Sequence, residues 1–199
     1  MNNLVIQPTV TAQWHDLINE AQAAAHCQLN VTLESYLVFL LERFTRRPEI
    51  MSTILSMDYL EATTQAKQNH DQLRDIGDRC LLFSGLFPQI AERRLVKISY
   101  FVSLGRSAYH QLAANIDNRK EQINDLYTCL THGFVQLMDI LQAIRGLDDS
   151  HNDRLKPLQA FELWQETGSQ QAYQAIRAIN DGLPLQQVDS PEAVNTALH

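Results

Sequence analysis

A chain of 199 residues with 45% hydrophobic side chains can bury one substantial core, so length and composition alone favour a single domain, or one with a small appendage. A formal charge of -7 and an isoelectric point near 5.4 speak against a nucleic-acid-binding role, because nonspecific affinity for nucleic acid comes from many Lys and Arg neutralising backbone phosphates. Three widely separated cysteines, Cys27, Cys80 and Cys129, share no CxxC spacing and read as reduced residues rather than a disulfide framework.

In chain order, the first thirty residues lack a basic start followed by an apolar run, and the most apolar stretch, Leu81–Phe87, is far too short to span a bilayer. The expectation is a cytoplasmic protein with no membrane partner. Only 7 glycines and 6 prolines stand against many Leu, Ala, Gln and Glu, which points to helices. A first helix is predicted from Thr9 or Thr11 to about Cys27, with Trp14, Leu17, Ile18, Ala21 and Ala25 on one face. A second, capped by Thr32, carries Tyr36, Leu37, Leu40, Leu41 and Phe44 at the spacing of a buried stripe. Pro48 ends it and opens a third, with Met51, Ile54, Leu55 and Leu60.

A fourth helix runs from about Gln65 to Ser84, stopped by Gly85 and Pro88; a short turn, Gln89 to Arg94, leads into a fifth from Lys97 to Ala114. The longest, Arg119 to Arg145, places Ile123, Leu126, Leu130, Phe134, Leu137, Met138, Leu141 and Ile144 along one side. An acidic loop at Asp148–Asp153 precedes a helix from Pro157 to Glu166, and a break at Gly168 and Ser169 precedes a last one to Ile179. Strand-type alternation and internal repeats are missing. The predicted fold is an all-α, single-domain helical bundle of seven or eight helices over residues 1–182, with a C-terminal tail over 183–199.

Several chemistries lose their motif. ExxH and HExxH are missing, as are a P-loop, a GxGxxG after a strand and a GxSxG elbow, so no metal and no cofactor is implied. His132 beside Gly133 reads as a flank of the apolar stripe, and Trp164 as a residue packing the C-terminal helix pair onto the bundle. Cys80 lies in apolar surroundings that raise its pKa, which makes it a poor nucleophile.

The segment from Leu73 to Tyr109 is the one that solubility and core filling do not account for. It reads GDRCLLFSGLFP from Gly77 to Pro88, then Arg93 and Arg94, then YFVSLGRSAY from Tyr100 to Tyr109. Asp75, Asp78 and Arg79 share one edge of a helix that becomes apolar almost all round from Cys80 onward. A carboxylate there is partly desolvated and needs a partner, and Asp78 with Arg93, Arg94 or Arg106 is the pairing expected. Gly77 and Gly105 each cost about 1 kcal/mol inside a helix. Close helix approach, with Tyr100 and Tyr109 filling space above and below it, would offset that cost; a cavity walled by the glycines, with Arg106 and the tyrosines facing a small anion, would do so as well. Arg43, Arg46 and Arg47 read as C-terminal charges on a helix dipole.

YLVFLL at Tyr36–Leu41, GDRCLLFSGLFP, the arginine pair, YFVSLGRSAY and LWQETGS at Leu163–Ser169 resemble landmarks of a family of bacterial all-helical proteins with no established activity. The resemblance implies a self-contained bacterial domain and nothing chemical, and it assigns no catalytic residue.

Two function classes follow. The first is a non-enzymatic interaction or regulatory module, a homo-oligomer or a binder of another protein, that buries an apolar helical face. The second is a site for a small anionic ligand, binding or catalytic, built from Asp75, Asp78, Arg79, Arg93, Arg94, Tyr100, Arg106 and Tyr109. A desolvated Asp would serve there as general base and an Arg would hold the anion. The absence of every strong catalytic motif favours the first.

Overall fold

The computed structural model describes residues 9–47, 70–115, 121–147 and 155–181. Within them the chain forms eight helices: α1 (Val10–Ala25), α2 (Val31–Arg46), α3 (His70–Gly85), α4 (Gln89–Arg93), α5 (Ile98–Asn115), α6 (Glu121–Gly146), α7 (Pro157–Thr167) and α8 (Gln170–Asp181). The helix expected after Pro48, the Asp148–Asp153 loop and the tail lie outside the described residues.

Local signals set the ends. Thr9 caps α1, its side chain accepting the Ala12 N–H at 3.2 Å, and His26 closes the helix in the left-handed region at φ 50. Asn30, not Thr32, caps α2: its side-chain oxygen accepts the Leu33 N–H at 2.8 Å, doing what a threonine hydroxyl does from the same register. Gly168, at φ 73, ends α7 where an L side chain would be strained.

α3 is the central helix. Leu73, Ile76, Gly77, Asp78 and every residue from Cys80 to Gly85 are buried, so its second half meets protein on all sides. That is what an apolar run without a polar stripe requires. α5 and α6 pack on α3 and on each other, and α1 and α2 pair and close against α6. α7 and α8 form a hairpin in which α7 meets α5 and α8 meets α6. Tyr109, Phe83, Phe101 and Phe134 are the largest fully buried side chains; Phe83 lies 5.3 Å from Phe101 and Tyr109 lies 6.0 Å from Phe134, centroid to centroid.

A buried carboxylate pins the hairpin. Asp139 of α6 accepts the Ser169 hydroxyl at 2.6 Å and the Gln170 N–H at 2.9 Å, while Ser169 Oγ accepts the Ala172 N–H and caps α8. Leu163, Ala160 and Ala172 are buried in the core, whereas Trp164 points outward. Trp164 therefore does not fasten the hairpin to the bundle as the sequence suggests. Ala160 and Leu163 of α7 and Ala172 of α8 take that place.

Burial pushes Asp139 up to about 6, against the lowering by Ser169 and the α8 amides. A folded-state value above the unfolded one near 3.9 means that stability is fully present below about pH 4 and is lost as pH rises through about 6. The unfolding free energy from denaturant titrations across that window is expected to fall in the wild type by on the order of 2–3 kcal/mol more than in Asp139→Asn. Identical slopes in the two proteins would refute the assignment to Asp139.

Candidate functional site

Asp78 sits at the middle of α3 with its side chain 2% exposed. Isolated, such a charge is prohibitive. Here α2 and α5 supply its partners. Tyr36 of α2 donates its hydroxyl to Asp78 Oδ1 at 2.5 Å, and Tyr109 of α5 donates to the same oxygen at 2.7 Å. Arg43 of α2 approaches Oδ2 at 3.2 Å with the same Nη2 that donates to Asp75 Oδ1 at 2.8 Å. Arg74 lies 3.3 Å from Asp71 and 3.7 Å from Asp75, at the outer margin of the cluster.

The rings lock the hydroxyls in place. Tyr36 meets Tyr109 edge-on at 6.3 Å, and Tyr127 of α6 stacks on Tyr109 at 6.2 Å. Gly77 makes this possible: a Cβ there would fall 2.4 Å from Tyr109 Cε1, so the ring occupies the space a side chain would need. Close approach accounts for both helical glycines, since a Cβ on Gly105 would lie 2.5 Å from the Phe134 ring and 2.8 Å from Cys80 Cβ.

Burial raises Asp78 above the ordinary carboxylate range, although Arg43 and the two tyrosine hydroxyls pull it down. Burial also holds Tyr36 and Tyr109 well above the usual phenol value, reinforced by the charge of Asp78, so both remain neutral donors. Burial lowers Arg43, yet Asp78 and Asp75 outweigh it and the guanidinium ends up more basic than usual. A general base needs a lone pair turned toward a substrate. Both oxygens of Asp78 are instead engaged by side chains of its own bundle.

The residues grouped by sequence therefore separate. Asp75, Asp78 and Tyr109 belong to this cluster, together with Arg43, Tyr36 and Tyr127, which sequence reasoning placed in an apolar stripe, on a helix dipole or nowhere. The partner of Asp78 is Arg43 and not Arg93, Arg94 or Arg106, because α2 rather than α4 covers this side of α3. Arg79 is half-buried, and its charge, with that of Arg94, opposes the rise that burial imposes on the Cys80 thiol. Arg94 lies over the Phe83 ring at 5.4 Å, and Arg93 is exposed at the end of α4. Tyr100 sits exposed with its ring against Phe101, at the other end of α5 from Tyr109. It does not flank the glycine contact.

Arg106 faces outward. With Ser107, His110 and Gln111 of α5 and Thr131 of α6 it lines an open pocket of about 300 Å³. Among the described residues no three His, Cys, Asp or Glu side chains gather closely enough to hold a metal ion, and no helix is long and apolar enough to cross a membrane.

The chain matches no protein-family model, no curated protein and no solved structure. What it does has to be read from its own geometry.

Proposed function

We propose that the protein is a non-enzymatic interaction or regulatory module of the bacterial cytoplasm, and that the outer face of the α7–α8 hairpin is its contact surface. The observation that carries this is a stripe of large apolar side chains open to solvent: Leu158 at 69%, Phe161 at 47% and Trp164 at 39% along α7, with Tyr173 at 37% from α8. Leu158, Phe161 and Trp164 recur every third residue, which places them one above another on a helix. Phe161 and Trp164 lie 6.2 Å apart, and Trp164 and Tyr173 5.6 Å apart, so the three rings form one surface. Aromatic residues grouped in this way are the usual anchors of protein interfaces, and single scattered apolar residues are not.

The flank beside this stripe is polar and fixed. Lys97 bridges Glu162 at 3.3 Å and Glu166 at 2.7 Å, Ser99 donates to Glu166, and Lys156 reaches Glu92 at 2.7 Å. These ion pairs link α7 to the start of α5 and to α4 along one edge of the stripe. The mutual satisfaction of the Asp78 cluster further supports the reading, since its polar atoms serve the fold.

The simplest partner is a second copy of the chain. Light scattering across protein concentrations is expected to give a dimer for the wild type and a monomer of unchanged helicity for Phe161→Asp combined with Trp164→Asp. A wild type that stays monomeric at about 100 µM, far above the Kd of a standard-sized interface, would refute self-association through this face.

A further inference from the structure

Outside the contact stripe and the Asp78 cluster, the pocket between α5 and α6 gathers a different chemistry. Arg106 and His110 stand one turn apart on α5, and Ser107 and Gln111 repeat that spacing beside them, so four polar side chains line one wall. Thr131 of α6 forms the facing wall, and its hydroxyl is already donated to the Tyr127 carbonyl at 2.8 Å. Among the described residues, no carboxylate lines the pocket. Arg106 and His110 have no ion-pair partner among the described residues. In a chain of net charge -7, a pocket whose described lining is Arg, His, Ser, Gln and Thr, without a carboxylate among them, departs from what charge balance would place there.

From this we infer that the α5–α6 pocket binds a terminal phosphate group, free or carried on a small molecule. An arginine fork meets two oxygens of an oxyanion in one plane, which suits phosphate and carboxylate alike. The imidazole N–H of His110 and the Ser107 hydroxyl offer further donors around the same space. Two oxygens of a carboxylate leave some of these donors idle, whereas the three terminal oxygens of a phosphate can use them. A volume of about 300 Å³ lies at the small end of the range for ligand pockets, which suits a group the size of a phosphate or a small phosphomonoester. The pocket lies across α5 from the buried side of Gly105 and Tyr109, which makes binding there independent of the Asp78 cluster.

The test is a titration of the isotope-labelled full chain, followed by amide shifts, with inorganic phosphate, glycerol 3-phosphate and propionate as separate probes. Saturable shifts around residues 106–111 and 131 are expected for the two phosphates, with affinity at least tenfold weaker in Arg106→Gln and unchanged in Arg93→Gln, an exposed arginine elsewhere. Whichever of the two phosphates binds more tightly identifies the source, free or esterified. Propionate binding as tightly as either would overturn the phosphate assignment. Shifts that never saturate, or equal weakening in the two arginine variants, would show only general attraction to positive charge and overturn the site.

Discussion

Replacing Arg43 with leucine is expected to destabilise the fold by about 3 kcal/mol at pH 7.5 and by much less at pH 4.5. Breaking a buried ion pair by removing one partner costs roughly 3–5 kcal/mol, because the remaining charge is left in a low-dielectric site. The low end applies here, since the Arg43 side chain is itself 30% exposed and part of its attraction is screened by water. The pH dependence follows from Asp78. Burial already holds its pKa above the unfolded value, and Arg43 is the largest of the influences lowering it. Without Arg43 the folded-state pKa climbs further. A raised carboxylate contributes stability that is present below the unfolded pKa and lost as pH rises through the folded one, so the variant loses most where Asp78 must ionise.

Asp78→Asn provides the internal control. The amide oxygen can still accept from Tyr36 and Tyr109 while carrying no charge to neutralise. Urea unfolding of the wild type, both single variants and the double variant at the two pH values closes the cycle. The double variant is expected to be more stable at pH 7.5 than Arg43→Leu alone. If the arginine deletion costs the same at both pH values, or gains nothing from Asp78→Asn, then Asp78 does not depend on Arg43 for its charge.

The centrality of α3 is legible in the sequence because Leu73, Ile76 and the residues from Cys80 to Gly85 leave it no polar stripe. The need of Asp78 for a partner follows from the same pattern. The partner's identity does not, since it depends on which helix covers that side of α3, and helical periodicity carries no information about that. A signal existed nonetheless: Tyr36 and Arg43 lie two turns apart on one face of α2, at the edge of its apolar stripe, where a hydroxyl and a guanidinium together suit a buried anion. The grouping of Arg106 with Asp78 neglects the register of α5. Phe101, Val102, Gly105, Ala108, Tyr109 and Leu112 define its buried face, and Arg106 and His110 fall outside it. The exposed stripe on α7 is illegible for a further reason, because an apolar side chain reads the same in a sequence whether it meets the core or a partner.

Gly105→Ala is expected to be strongly destabilising, by about 2–3 kcal/mol net, although alanine is the better helix former by about 1 kcal/mol. The new methyl group would sit 2.5 Å from Phe134 Cε2 and 2.8 Å from Cys80 Cβ. Phe134 is fully buried and packed against Tyr109, so its ring has no free space to enter. Cys80 Cβ is fixed to the α3 backbone, and only a wider separation of α3 and α5 relieves that contact. Widening this interface would carry Tyr109 away from Asp78, coupling an apolar overpacking to the polar cluster. Gly146 offers the opposite case at the end of α6, where a Cβ would meet none of the described residues within 4 Å and no positive φ is imposed. Gly146→Ala is accordingly expected to stabilise by about 0.5–1 kcal/mol through the unfolded state. Trimming Phe134 to leucine in the Gly105→Ala background should recover part of the loss, since it removes one of the two clashes and leaves the Cys80 contact. Thermal and denaturant unfolding of the three variants would decide the matter: a neutral or stabilising Gly105→Ala is incompatible with α3 and α5 packed at this distance.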